Sequence, residues 1–163
     1  MYTTKPINII NFINNINKEY IHSYLLQFKQ NYILSKENNY EETYKDFMHK
    51  RTTLMLLLIF NTNINNINTI LNLKINDFQN LLEDNFIELN EINNNINIEF
   101  NNYIQIDEFE FLYSDHLKNN PDYYLFTSCN YTKNKLTKTI ALKELELLIS
   151  KINDIFENDT LYV

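Results

Sequence analysis

Four lysines lie close together near the end of the chain: Lys133, Lys135, Lys138 and Lys143, interleaved with Tyr131, Thr132, Thr137 and Thr139. Ammonium groups, threonine hydroxyls and the free amides of a helix start are groups that hold a phosphate backbone. Lys133, Lys135, Thr137, Lys138 and Lys143 are therefore the candidate DNA contacts, set against the plainer reading of a solvated loop. His22, His49, His116 and Cys129 show no metal-ligand spacing, and a zinc site would need the fold to bring a fourth ligand to them. Cys129 with His116 could form a thiol nucleophile and its base, although a lone loop cysteine more often behaves as a small apolar residue. Asp107, Glu108, Glu110 and Asp115 crowd one helical stretch. Such carboxylates can hold Mg²⁺ or move protons, but acids in a first turn also simply favour the helix dipole. No catalytic, cofactor-binding or metal-ligating residue is assigned, and no cofactor is called for.

Composition removes several classes of chemistry. The chain has no glycine. Phosphate-cradling loops, dinucleotide fingerprints and nucleophile elbows in standard form all need glycine where backbone must approach closely or take φ > 0. Tight turns are expected to rest instead on Asn and Asp, the other residues that tolerate the left-handed region. The net charge of −7 makes the whole molecule a poor polyanion binder, so any nucleic-acid contact must use a local basic face. A single cysteine excludes an internal disulfide and suits a reducing compartment. With no signal peptide, lipidation motif or apolar run of about 20 residues, a soluble intracellular protein, in the cytoplasm or nucleus of a host cell, is expected. The 30 asparagines and 22 isoleucines far exceed ordinary usage and point to an AT-rich genome, as in viruses, mobile elements or parasites.

The elements that must position these residues follow from apolar spacing. Thr53 to Phe60 is almost wholly apolar and too short for a membrane span, so it reads as a buried helix. An Asn-rich break at Asn61-Thr62-Asn63 follows. Ile64, Ile67, Ile70 and Leu71 then predict a short helix packed back on the first, and Asn76 is placed to cap a further turn that runs from Gln79 to Asp84. Upstream, Ile9, Ile13, Ile16, Tyr20, Tyr24, Phe28 and Tyr32 form an apolar stripe on one long helix, or on two with a break near Asn17, ending by Ser35. Those aromatic rings could stack nucleic-acid bases, but helical spacing favours core packing. A loop over Ser35 to Asn39 and a capping box of Asn39 with Glu42 lead into the greasy helix. Beyond Phe78 the period changes to two: Phe86 to Leu89, Ile96 to Phe100 and Tyr103 to Ile106 predict a three-stranded antiparallel meander. Asp107 opens a helix to about Asn119, Tyr124 to Thr127 is extended, and Leu142, Leu145, Leu148, Ile149 and Ile152 give a last helix its core face. The expected fold class is α+β, mostly helical, in one domain over 1–163: an N-terminal helical arm at 1–35 and a core at 40–153.

The order of these elements, with Leu73-Lys74-Ile75-Asn76-Asp77-Phe78, Asp122-Tyr123-Tyr124-Leu125-Phe126-Thr127-Ser128 and Lys135-Leu136-Thr137-Lys138-Thr139, resembles the catalytic domain of tyrosine recombinases (phage integrases) over about Lys50 to Ile152. The departures bear on chemistry. Where the family has a Thr-Gly-Leu-Arg turn whose arginine holds the scissile phosphate, this chain reads Thr62-Asn63-Ile64-Asn65-Asn66, with Asn66 about where that arginine belongs. A neutral amide cannot replace a bidentate, charge-assisted phosphate contact. The family's lysine should fall within Glu91 to Asn97, which contains none. The sequence closes at Val163 before any His-x-x-Arg box, and Tyr162 lacks the setting of a nucleophile. The resemblance thus implies a catalytically inactive, integrase-like, DNA-binding or regulatory protein of a virus or mobile element, touching duplex DNA through the Lys133–Lys143 face. The competing expectation is an acidic interaction module or inhibitor of a host or defence factor that grips a protein and no nucleic acid.

Overall fold

A computed structural model describes residues 18–38, 41, 43–62, 66–84, 86–88, 95–97, 121–128 and 134–160. Its centre is α2 (Tyr44–Asn61), preceded by α1 (Lys18–Glu37) and followed by α3 (Ile67–Leu71), α4 (Ile75–Asp84), the strands β1 (Phe86–Glu88) and β2 (Asn95–Asn97), and α5 (Lys138–Thr160). Every residue from 51 to 60 is buried. A helix with no solvent face must be enclosed on all sides. Here α5 packs against α1, α2 and α3, and Leu56, Leu57 and Leu58 are wholly inaccessible.

Among the described residues, the starts of α2, α3 and α4 are each closed by a side chain. Thr43, with extended backbone, caps α2: its hydroxyl accepts from the Asp46 amide at 3.2 Å, and Asp46 Oδ2 accepts the Thr43 amide at 2.9 Å. The capping box is therefore Thr43 with Asp46, not Asn39 with Glu42, which lie outside the described residues. Asn66 caps α3, its Oδ1 accepting from the Asn68 amide at 2.8 Å. Asn72 ends α3 in a right-handed conformation (φ −88°, ψ −6°) with its amide on the Asn68 carbonyl. These two asparagines serve as hydrogen-bonding caps, Asn66 extended and Asn72 right-handed. Asn76, expected to be a cap, is not one. It sits inside α4, whose entry is held by Asp77 Oδ2 accepting the Lys74 amide at 2.8 Å. The turn expected over Gln79 to Asp84 is the second half of that helix, with Ile75, Phe78 and Leu81 buried at helical spacing. At the other end of the core, α1 runs to Glu37, past the expected stop at Ser35.

The three-stranded meander, and with it the α+β fold class, is overturned. The described residues are mostly helical, and the regular strands among them are β1 and β2, three residues each, with Phe86 opposite Asn97, Ile87 opposite Ile96 and Glu88 opposite Asn95; other extended pairing is limited to two isolated bridges. The expected third strand, Tyr103 to Ile106, lies outside the described residues, as do Ile9, Ile13, Ile16 and the helix expected from Asp107. The physical reason is capacity. Two three-residue strands make few ladder bonds and a two-stranded ribbon is marginal alone, so the core is built from helix faces. No helix among the described residues is long and apolar enough to cross a membrane.

Candidate nucleic-acid interface

Segment 121–128 has no regular secondary structure, yet it joins two distant parts of the chain. The Ile75 amide donates to the Tyr123 carbonyl and the Leu125 amide to the Leu73 carbonyl, both at 2.9 Å, so that Lys74 and Tyr124 stand opposite each other. On its other side, Ser128 donates to Asn134 at 2.8 Å and Leu136 donates to Phe126 at 3.1 Å, which sets Thr127 opposite Lys135. The sequence dictates this local form. Leu73-Lys74-Ile75 and Lys135-Leu136 alternate buried and exposed, as extended chain on a core does, while Leu125, Phe126 and Thr127 of the segment between them are all buried.

The two lysines converge on one ring. Lys74 Nζ lies 5.9 Å and Lys135 Nζ 5.6 Å from the centre of the half-buried Tyr124 ring, within reach of its negative face. Lys135 also donates to Asn72 Oδ1. Lys138 is the exposed first residue of α5, a few residues along. Thr137 caps that helix: its hydroxyl oxygen accepts from the Ile140 amide at 3.5 Å and its carbonyl from Ala141 at 3.0 Å. Lys143 is exposed too, but five residues beyond Lys138 it is turned about 140° around the helix and belongs to another face. Lys133 lies outside the described residues. Of the five candidate contacts, Lys135 meets Lys74 at the Tyr124 ring, Thr137 and Lys138 follow Lys135 in sequence at the start of α5, and Lys143 lies on another face of that helix. Carboxylates temper the patch: Asp122 is exposed nearby, and Asp77 is bound to the Lys74 amide.

Behind this patch sits a polar cluster that helical patterning missed. Arg51, 5% exposed, forks onto Glu144 Oε1 and Oε2 at 2.7 and 2.8 Å, and its other terminal nitrogen donates to the Thr127 and Ser128 carbonyls at 2.7 and 3.2 Å. Thr52 adds a bond to Glu144 Oε2 at 3.1 Å, and the Tyr44 hydroxyl donates to the Ser128 carbonyl at 3.1 Å. The signal was a guanidinium bordering a run with no solvent face, since a charge there needs a buried counter-ion. Glu144, adjoining the core residue Leu145 on α5, meets that need.

A second cluster joins α1 to α2. The Tyr24 hydroxyl bonds to His49 Nε2 and, at 3.2 Å, to Thr53 Oγ1. Burial pushes the Tyr24 hydroxyl up to about 12, against a smaller lowering by the Thr53 hydrogen bond. Burial lowers the His49 imidazole, Lys151 and Lys45 lower it further, and Asp46 opposes them. The Phe28 ring meets the His49 ring edge-on at 5.0 Å, so this is a packed joint between helices. The aromatic stripe expected on α1 is accordingly core in part: Tyr24 is buried, and Tyr20 stacks on Phe156 at 5.7 Å.

No three His, Cys, Asp or Glu side chains gather for a metal among the described residues. His116, Cys129, the four carboxylates from Asp107 to Asp115 and Tyr162 lie outside those residues. Comparison with family models, with curated proteins and with solved structures finds no match.

Proposed function

We propose that the chain is a non-catalytic nucleic-acid-binding protein that holds phosphate backbone with Lys74, Lys135 and Lys138 around Tyr124. The observation that carries this reading is the convergence of Lys74 and Lys135, from segments far apart in sequence, on one aromatic ring. An otherwise acidic protein would not need two ammonium groups on one ring for solubility, whereas two adjacent cations suit successive phosphates. The resemblance to tyrosine recombinases adds support, because in that family the corresponding segment lies against DNA. Lack of catalysis is part of the reading. Asn66, where the resemblance would put a phosphate-holding arginine, already spends its side-chain oxygen on capping α3. Backbone contacts of this kind read little sequence, so the target is duplex DNA of broad sequence range.

The test is a titration of the protein against a short DNA duplex at two salt concentrations. Three phosphate contacts give a slope of about −2.7 in log affinity against log salt, or roughly a 40-fold loss between about 50 and about 200 mM. Absence of binding at the lower salt would remove this reading.

A second reading has its own observation. Ile33 and Leu34 on α1 are 46% and 55% exposed and Leu147 on α5 is 62% exposed, apolar surface on a chain of net charge −7. An acidic module that grips another protein, such as a host or defence factor, would present such residues. Binding of duplex DNA by the wild type, lost on reversing the patch lysines, decides against it.

A further inference from the structure

Resting on the nucleic-acid reading above, we propose that Arg51 and Glu144 are positioning residues for the DNA contact: their buried pair fixes segment 121–128 so that Lys74, Tyr124 and Lys135 share one surface. The three parts of the patch have no common secondary structure. Lys74 precedes α4, Tyr124 lies in an irregular segment, and Lys135 lies before α5. What they share is segment 121–128, paired with residues 73–76 on one side and 134–136 on the other. Arg51 is a buried side chain that, with the Tyr44 hydroxyl on Ser128, ties the end of this segment to α2. One guanidinium nitrogen reaches two consecutive carbonyls, Thr127 and Ser128, and the other is held by both oxygens of Glu144. Arginine suits this position because its donors are set in a rigid fork, so fixing one half fixes the direction of the other. Glu144 in turn carries α5, whose first residue is Lys138. A shift of the pair would therefore move the Tyr124 segment relative to the α5 lysine.

The pair touches no candidate ligand contact directly, so its effect on binding must pass through backbone position. Phosphate contacts count only when several are made together, and separating the lysines converts one multivalent contact into single weak ones.

Two full-length variants test this. Arg51→Lys keeps the charge beside Glu144, but a single ammonium lacks the planar fork. The double variant R51M/E144M replaces the pair with apolar groups of similar length, a change that often leaves a fold intact. Both are compared with wild type by far-ultraviolet circular dichroism, by amide hydrogen exchange over 121–128 and 134–136, and by titration of a labelled short DNA duplex well below each Tm. The expected result is native helix content, exchange in these two segments faster by at least tenfold, duplex affinity roughly tenfold weaker in both variants, and a shallower salt slope with every patch lysine retained. Unchanged affinity and slope in a folded variant, with wild type binding normally, overturns the positioning role and leaves the nucleic-acid reading standing. Faster exchange confined to α2, with 121–128 unchanged, overturns it as well. Wild type that binds no duplex overturns the nucleic-acid reading, and this inference falls with it.

Discussion

The Arg51 guanidinium meets the Glu144 carboxylate with two bonds of 2.7 and 2.8 Å across 93 residues of chain, and neither residue has an exposed charge to spare. The side chains are 3% and 15% exposed. Arg51 Nε, also buried, has no acceptor among the described residues, so the cluster already carries one unmade bond. Such a pair holds a unique arrangement at a desolvation cost that its Coulombic attraction only partly offsets.

Removing one member should therefore hurt more than removing both. Arg51→Met leaves the partly buried Glu144 carboxylate without its counter-ion and should destabilise the protein by about 2–3 kcal/mol, toward the low end for a buried pair. Adding Glu144→Met should restore much of that loss. Urea denaturation of the two single variants and the double variant measures the coupling. If the double variant is as unstable as the sum of the singles, the pair does not act as a unit.

The joint between α1 and α2 makes stability depend on pH at both ends of the scale. His49 has a folded pKa below its ordinary value, chiefly from burial, and it faces Tyr24 and Phe28 of α1, Lys45 and Asp46 of α2, and Lys151 of α5. The unfolded state then binds the proton first. Stability contributed by neutral His49 is present above the unfolded value of about 6.5 and is lost as pH falls through the folded one. Tyr24 works in the opposite direction. Its hydroxyl, at about 12, stays protonated in the fold after the unfolded chain has ionised near its ordinary value, so stability falls as pH rises between them, by about 3 kcal/mol in all. Denaturation midpoints should decline below neutrality and again above about pH 10. His49→Gln should flatten the acid limb above the carboxylate range, and Tyr24→Phe the alkaline limb. A His49→Gln protein with an unaltered acid limb between pH 5 and 6.5 would show that this imidazole is not the group responsible.

These two clusters mark where sequence reading stops. Thr53 to Phe60 was legible as core because burial of a continuous apolar run is a local property, and all of it is buried. The faces of α3 and α5 followed from spacing in the same way, although Leu142 is only partly buried and Ala141 takes a place in the core. Local pattern could not pair Arg51 with Glu144, 93 residues apart, or bring Lys74 to Lys135, which meet only through segment 121–128. Alternating Asn and Ile after Phe86 matched a strand pattern, but matching a period does not supply the ladder length that a sheet needs. Helix starts were misplaced for another reason. Many Asn, Thr and Asp residues fit a capping template, and packing chooses among them. Thr43 wins where Tyr44 can reach Ser128 and Phe47 can lie 5.5 Å beneath the Arg51 guanidinium.

Chemistry on DNA is a separate matter from binding it. Phosphoryl transfer depends on positioned positive charge around the reacting phosphate. Around α3 the residue at the expected place is Asn66, a helix cap. Incubation with supercoiled plasmid and a divalent metal should yield neither nicked circles nor a protein–DNA adduct that survives denaturation. An adduct mapped by mass spectrometry to Tyr162 would reverse this expectation outright.

Lys74 and Lys143 separate the structural patch from the simple count of lysines. A cluster defined by closeness in sequence includes Lys143 and omits Lys74. The folded chain does the reverse: Lys74 shares the Tyr124 ring with Lys135, while Lys143 sits about 140° around α5 from Lys138. If the patch holds phosphates, Lys74→Glu should weaken duplex binding by about tenfold or more at low salt, since it removes one contact and adds a repelling charge. The same variant should lower the salt slope by about one. Lys143→Glu makes an equal change in net charge, so it controls for the overall field of the molecule and should have a much smaller effect. Both lysines are exposed, and each substitution should alter folding stability by no more than about 0.5 kcal/mol. Anisotropy titrations of the two variants against one duplex decide the matter. Equal losses would mean that binding follows net charge alone, and a larger loss for Lys143→Glu would move the interface to another face of α5.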